Sequence, residues 1–177
     1  MSYTTIKAIW PGEKTEDLEE LRNSHGSAPP IWNALCKKYY GTQDHSYMLN
    51  GTLDKLWPRW KDLSIPEHQR AVLMMTYDHA YVSKNNYARA AADIEKFFAD
   101  FSPIYGNVNH WPRLVEILKS DPDIPALGLY CTSVSEDPFQ GEWNEERNEY
   151  DPPDWEQCFD IYKELDGLRI IINHRKE

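Results

Sequence analysis

Carboxylates and histidines are the side chains of this chain whose types and spacing could do chemistry. Glu142, Glu145, Glu146, Glu149 and Asp151 crowd into one short stretch. Brought together, their oxygens could chelate a hard cation or, as a pair, act as acid and base. The alternating acidic positions around a central glycine that a calcium loop needs are missing, and nothing in the spacing fixes the carboxylate separation of about 5 or 9 Å that glycoside hydrolysis requires. A solvated charge run is the commoner origin of such a cluster. His68 and His79, if both lie on one helix, return to nearly the same face but stand about 16 Å apart along its axis, too far to share a metal. Asp78 and His79 are sequence neighbours and would point about 100° apart on a helix, which defeats a local carboxylate–imidazole pair. His25, His45, His110 and His174 occupy different segments and could meet a carboxylate only through tertiary structure.

Nucleophilic chemistry has no better footing. Cys36, Cys131 and Cys158 are odd in number, widely spaced and outside any Cys-x-x-Cys arrangement, which argues against a disulfide framework or a zinc ribbon. Each falls among apolar neighbours that predict burial and an inert thiol, with no local base. There is no Gly-x-Ser-x-Gly elbow, no glycine-rich phosphate loop and no His-Glu-x-x-His. No metal or cofactor is expected.

The strongest signal is where the charge sits. The whole formal charge of −10 belongs to the acidic aromatic segment 135–166, which holds twelve Asp and Glu against Arg147 and Lys163; the rest of the chain balances at seventeen of each sign. The same segment carries Phe139, Trp143, Tyr150, Trp155, Phe159 and Tyr162. A negative field beside large rings gives long-range attraction to a basic surface and then a desolvated contact. The expected partner-binding residues are Glu142, Trp143, Glu145, Glu146, Glu149, Tyr150, Asp151, Asp154, Glu156 and Asp160. The expected partner is a basic protein such as a nuclease or nucleic-acid-binding protein, in the manner of an immunity or anti-defence protein. Direct nucleic-acid binding is disfavoured, because Lys37, Lys38, Lys55, Arg59 and Lys61 are scattered among balancing acids; Arg59-Trp60-Lys61, with Trp57 nearby, is the best basic patch. The alternatives are a hydrolase whose site joins a histidine such as His79 to carboxylates of 142–154, and a structural or assembly subunit that exposes a large apolar face on its Trp-rich helices.

The elements that must position these residues read as a single α+β domain over 1–177, mainly helical, with a small sheet of about three strands near 4–10, 126–134 and 168–172. Thr4–Trp10 is β-branched and aromatic and ends at Pro11-Gly12. Thr15 followed by Glu16 and Asp17, with Leu18 and Leu21 before His25-Gly26, predicts a short capped helix. Further helices are expected at 31–40, at 53–60 with a bend at Pro58, from Ser64 to about Val82, at 87–101, at 111–118 and at 154–165. The last would place Glu156, Asp160 and Glu164 in one row at i, i+4, i+8. The longest purely apolar run, Ala71–Met75, is far short of a membrane span of about 20 residues, and the N-terminus lacks a secretory pattern. A soluble cytoplasmic protein is expected.

Overall fold

A computed structural model describes residues 3–22, 24–101, 110–131, 137, 139, 141–151 and 153–173, with the backbone alone for Ser24 and residues 170–173. β1 (Tyr3–Trp10) turns back directly into β2 (Lys14–Arg22). Pro11 and Gly12 occupy the two central positions of that turn, Gly12 at φ 84°, and the Glu13 N–H closes on the Trp10 carbonyl at 2.9 Å. This is the geometry that proline followed by glycine favours. β2 overturns the helix expected over this stretch. A bulge between its pairings to Ile6 and Lys7 leaves Leu18 as an extra residue, so the half-buried positions fall at Thr15, Glu19 and Leu21. The alternation of a strand is thereby disguised as the three- and four-residue spacing of a helix.

The main sheet has five strands among the described residues, in the order β2-β1-β4-β3-β7, with β3 (Ala80–Ser83), β4 (Ala126–Tyr130) and β7 (Phe159–Asp160). All pairings are antiparallel except the parallel β3–β7 contact. The α+β fold is therefore built on a five-strand mixed sheet plus a separate two-strand ribbon, and the three-strand sheet is wrong in count and in membership. The strand expected at 168–172 lies inside a helix, α6 (Ile161–Asn173), which runs through Asp166-Gly167 without a turn. Of the stretch 126–134, the strand covers Ala126–Tyr130, and 132–134 lie outside the described residues.

One face of the sheet carries Ile6, Ala80, Val82, Leu127 and Leu129 into the larger core. That core is filled from α1 (Ala28–Tyr40), α3 (Glu67–Met74), α4 (Tyr87–Asp100), α5 (Trp111–Lys119) and α6. Gly41 at φ 63° ends α1, its N–H on the Lys37 carbonyl at 3.1 Å. A short α2 (Thr52–Leu56) passes at Pro58 into a 3₁₀ turn over Trp57–Lys61. The long helix expected from Ser64 to Val82 stops at Met74, because a turn at Tyr77–Ala80 redirects the chain into β3. His68 and His79 therefore do not share a helix. The helix expected at 154–165 is also replaced: a turn through Trp155–Gln157 leads into β7, and α6 begins only at Ile161. Glu156, Asp160 and Glu164 thus never form one helical row.

The other face of the sheet is covered by the acidic segment itself. Ile9, Ala126 and Phe139 form a second buried cluster, with Tyr81, Trp155 and Cys158 packed against it. Phe139 is fully buried over Gly128, where an added Cβ would stand 3.0 Å from its ring and 2.7 Å from the Ile9 Cδ1. Glycine at 128 is therefore a packing requirement of the face that seats this segment.

Candidate functional site

Two anchors seat the segment before it reaches solvent. The buried Lys7 ammonium lies between Asp17 on the neighbouring strand and Asp137 at the start of the covering segment. Burial opposes the lysine charge, but hydrogen bonds to Asp137 and Asp17 outweigh it, so the Lys7 pKa stands above the ordinary value. The Thr15 hydroxyl donates to the Phe139 carbonyl at 2.6 Å. β2 thus lies beside the acidic segment, and Glu13 in the turn before it and Glu20 within it, which meet no cation among the described residues, add negative charge that the linear segment does not show.

Beyond Phe139 the chain leaves the sheet as a two-strand ribbon of β5 (Trp143–Asn144) and β6 (Glu149–Tyr150). It is closed at its base by Gly141 N–H to the Asp151 carbonyl at 2.9 Å and Asp151 N–H to the Glu142 carbonyl at 2.8 Å. The turn is made by Asn144, whose side-chain oxygen accepts the Arg147 N–H at 3.1 Å, and by Asn148, which takes the left-handed conformation at φ 51°. Cross-strand pairing sets the Trp143 and Tyr150 rings edge to face with centroids 5.0 Å apart, and both stay half exposed, at 49% and 50%. Glu142, Glu145, Glu146 and Glu149 are exposed around them.

The ten expected partner-binding residues therefore divide. Six of them, Glu142, Trp143, Glu145, Glu146, Glu149 and Tyr150, are brought together on the ribbon. Arg147 reaches Glu149 at 3.0 Å and also Asp151, so it draws those two carboxylates toward itself. Asp154 and Glu156 are exposed in the turn before β7, where the Asp154 carboxylate accepts the Glu156 N–H and the Gln157 amide. Asp160 is committed to structure: it accepts the N–H groups of Tyr162 and Lys163 at the start of α6 and the Ser83 hydroxyl. Among the described residues, Glu142, Glu145 and Glu146 have no cation within ion-pair reach. Of the six rings in the segment, Phe139 and Tyr162 are fully buried and Trp155 and Phe159 partly so, which leaves Trp143 and Tyr150 as the exposed pair.

No protein-family model, no curated protein and no solved structure matches this chain.

The histidines assemble differently from any expected grouping. His79 is exposed, and among the described residues no carboxylate lies within ion-pair reach of it. His68 is buried, and its Nε2 meets Asp100 at 2.6 Å; the Gln69 amide donates to the same carboxylate oxygen at 2.8 Å. These bonds hold the Asp100 carboxyl below its ordinary pKa, the one from His68 foremost. The Gln69 oxygen in turn accepts from Tyr39 and Lys38 at 2.7 and 3.2 Å. The network ties α3 to the ends of α1 and α4, and among the described residues no hydroxyl or thiol hydrogen-bonds the imidazole. No group of three potential metal ligands occurs among the described residues. An open groove of about 530 Å³ between the start of α4 and the end of α5 is floored by Ala88, Ala91 and Leu118 and rimmed by Lys84, Glu95 and Lys119. It contains no histidine or cysteine.

Each of the three thiols stands above the ordinary range, and the cause is chiefly burial. Burial pushes Cys36 up to about 11 and Cys131 higher still. Cys158 rises to about 11, first through burial and then through the fields of Asp154 and Asp137. No helix among the described residues is long and apolar enough to cross a membrane.

Proposed function

We propose that this protein is a non-enzymatic binder or inhibitor that offers its β5–β6 ribbon to a basic protein, of the kind whose surface handles nucleic acid. The observation that carries the reading is the exposed Trp143–Tyr150 pair standing among Glu142, Glu145, Glu146 and Glu149 on a ribbon braced by its own turn. The carboxylates supply attraction over a Debye length of about 8–10 Å, and the rings supply the contact that persists once water is expelled. Each ring retains on the order of 100 Å² for a partner to cover, which at about 25 cal/mol per Å² supplies roughly 2.5 kcal/mol per ring before ordering costs. Glu142, Glu145 and Glu146 also discriminate, since an acidic or apolar competitor would leave them desolvated and unpaired.

Capture from the source cells at about 50 and about 300 mM salt, followed by kinetics on the purified partner, tests this. With Glu145→Gln/Glu146→Gln/Glu149→Gln the association rate should fall roughly tenfold at low salt and lose most of its salt dependence. With Trp143→Ala the dissociation rate should rise instead. Association and dissociation rates unchanged in both variants would overturn the reading.

A further inference from the structure

We infer that the ribbon also docks on a second copy of this chain, against the basic aromatic surface formed by the end of α1 and residues 48–63. The inference rests on the ribbon being a docking element, as proposed above, and adds what occupies it when no other partner is present. Apart from Leu18 at the β2 bulge, the exposed large apolar side chains of the described residues fall in two places. One is the Trp143–Tyr150 pair; the other is the stretch 48–63, with Met48 at 72%, Leu49 at 60%, and Trp57 and Leu63 also exposed.

The second patch is basic. Arg59 lies over the Tyr39 and Tyr40 rings at 5.3 and 6.0 Å, Lys61 lies over Trp60 at 5.1 Å, and the Tyr40 hydroxyl donates to the Lys55 carbonyl at 2.8 Å. These contacts gather Lys55, Arg59 and Lys61 beside Lys38, which lies over Tyr39 at 5.4 Å. Arg59 is answered by Asp62 at 3.1 Å, whereas among the described residues Lys38, Lys55 and Lys61 have no carboxylate within ion-pair reach. Lys38 is drawn toward the Gln69–Asp100 network, and Asp54 is exposed in the same segment, so Lys55 and Lys61 are the cations left to face the inverse arrangement on the ribbon, three glutamates without an ion-pair partner beside two exposed rings.

Ribbon against ribbon would set glutamate on glutamate, and patch against patch would set lysine on lysine. The favoured contact is ribbon to patch, head to tail. The patch stands on the helical side of the sheet and the ribbon leaves from the segment covering the opposite side, so one molecule cannot close the contact on itself. Each copy offers one surface of each sign, so every such contact occludes a ribbon, whether the assembly closes or stays open. A basic protein that takes the ribbon then competes with self-association.

Sedimentation equilibrium of the full chain from about 10 to 500 µM, at about 50 and about 300 mM salt, tests this. The average mass should rise with concentration at low salt, with roughly tenfold weaker association at the higher salt. Glu145→Lys/Glu146→Lys and Lys55→Glu/Lys61→Glu should each be largely monomeric, and their equimolar mixture should regain association because the reversed surfaces match each other. A wild type that stays monomeric throughout, or association that survives in the Lys55→Glu/Lys61→Glu variant, would overturn the inference. If the wild type is monomeric while the ribbon variants still lose a captured basic partner, only self-docking fails; if they lose neither, the ribbon itself is not a docking element.

Discussion

Gly128 and Phe139 should be energetically coupled, and a double-mutant cycle measures by how much. Phe139 is fully buried between Ile9, Ala126 and Gly128, so Phe139→Ala removes a complete aromatic side chain and leaves a cavity, at a cost of about 3–5 kcal/mol. For a chain of this length that is a fall in Tm of about 6–20 °C. Gly128→Ala places a methyl 2.7 Å from the Ile9 Cδ1 and 3.0 Å from two carbons of the Phe139 ring. The Ile9 methyl is the far end of a flexible side chain and can rotate, but only if the ring yields space; overpacking of this kind costs about 1–3 kcal/mol. With Phe139 already Ala, Ile9 can turn into the vacated volume, and the Gly128 substitution should cost less than about 0.5 kcal/mol. The expected coupling is therefore about 1–2 kcal/mol, read from urea unfolding followed by circular dichroism on the four proteins. Additivity within about 0.5 kcal/mol would show that Phe139 does not sit over Gly128, and with it would go the account of how the acidic segment is seated on the sheet.

Other consequences follow from the same anchors. Lys7→Met should destabilise by about 3–5 kcal/mol, because it leaves the largely buried Asp137 without its cation, and adding Asp137→Asn should recover part of the loss in the same unfolding assay. Arg147→Ala frees Glu149 and Asp151, so association with a basic partner should speed up by about two- to threefold at low salt in stopped-flow measurements, with a steeper salt dependence. Hydrogen bonds from Arg89 hold the Asp166 carboxyl below its ordinary value of 3.8. A depressed carboxyl contributes stability that is present above its unfolded pKa and is lost as pH falls through the folded one. Asp166→Asn should therefore cost under about 1 kcal/mol near neutrality, the pair being half exposed, and the gap to wild type should close below about pH 3.8.

Much of the helical layer was legible because its signals are local. Tyr87, Ala90, Ala91, Ile94 and Phe97 recur at helical spacing and are all buried in α4, and Trp111-Pro112 opens α5 as a first-turn proline should. The sheet was less legible because its pattern is set by neighbours. The bulge at Leu18 turns β2 into a mimic of a helix, and the four leucine and isoleucine residues of 168–172 are interrupted only by Arg169, so they satisfy a strand pattern as readily as the last turns of α6. Boundaries within 64–82 failed for a related reason: Ala71–Met75 is buried on every side, so no wet face marks where α3 must stop. The His68–Asp100 contact spans 32 positions and left no trace in local spacing.

The acidic segment shows most clearly what linear charge counting can and cannot do. The count located the segment, and the cluster from Glu142 to Glu149 is exposed as a charge run should be. It could not say that Asp137 would be neutralised by Lys7 and Asp166 by Arg89, because those partners come from elements up to 130 positions away in sequence. Nor could it separate rings that build the second core from rings left outside. That separation follows from the sheet: Gly128 and Ile9 leave a shallow surface that Phe139 fills, Trp155 and Cys158 close its edge, and the ribbon between them has no sheet left to cover. Trp143 and Tyr150 pack on each other, and their pairing across the ribbon is set by a turn that Asn144 and Asn148 complete. A pair of large rings held at 5.0 Å on such a turn has already lost much of the rotamer freedom that binding would otherwise have to remove. Preorganisation of that kind favours a docking role for the ribbon over a merely solubilising one, since solubility needs the glutamates but gains nothing from two ordered aromatic side chains facing water.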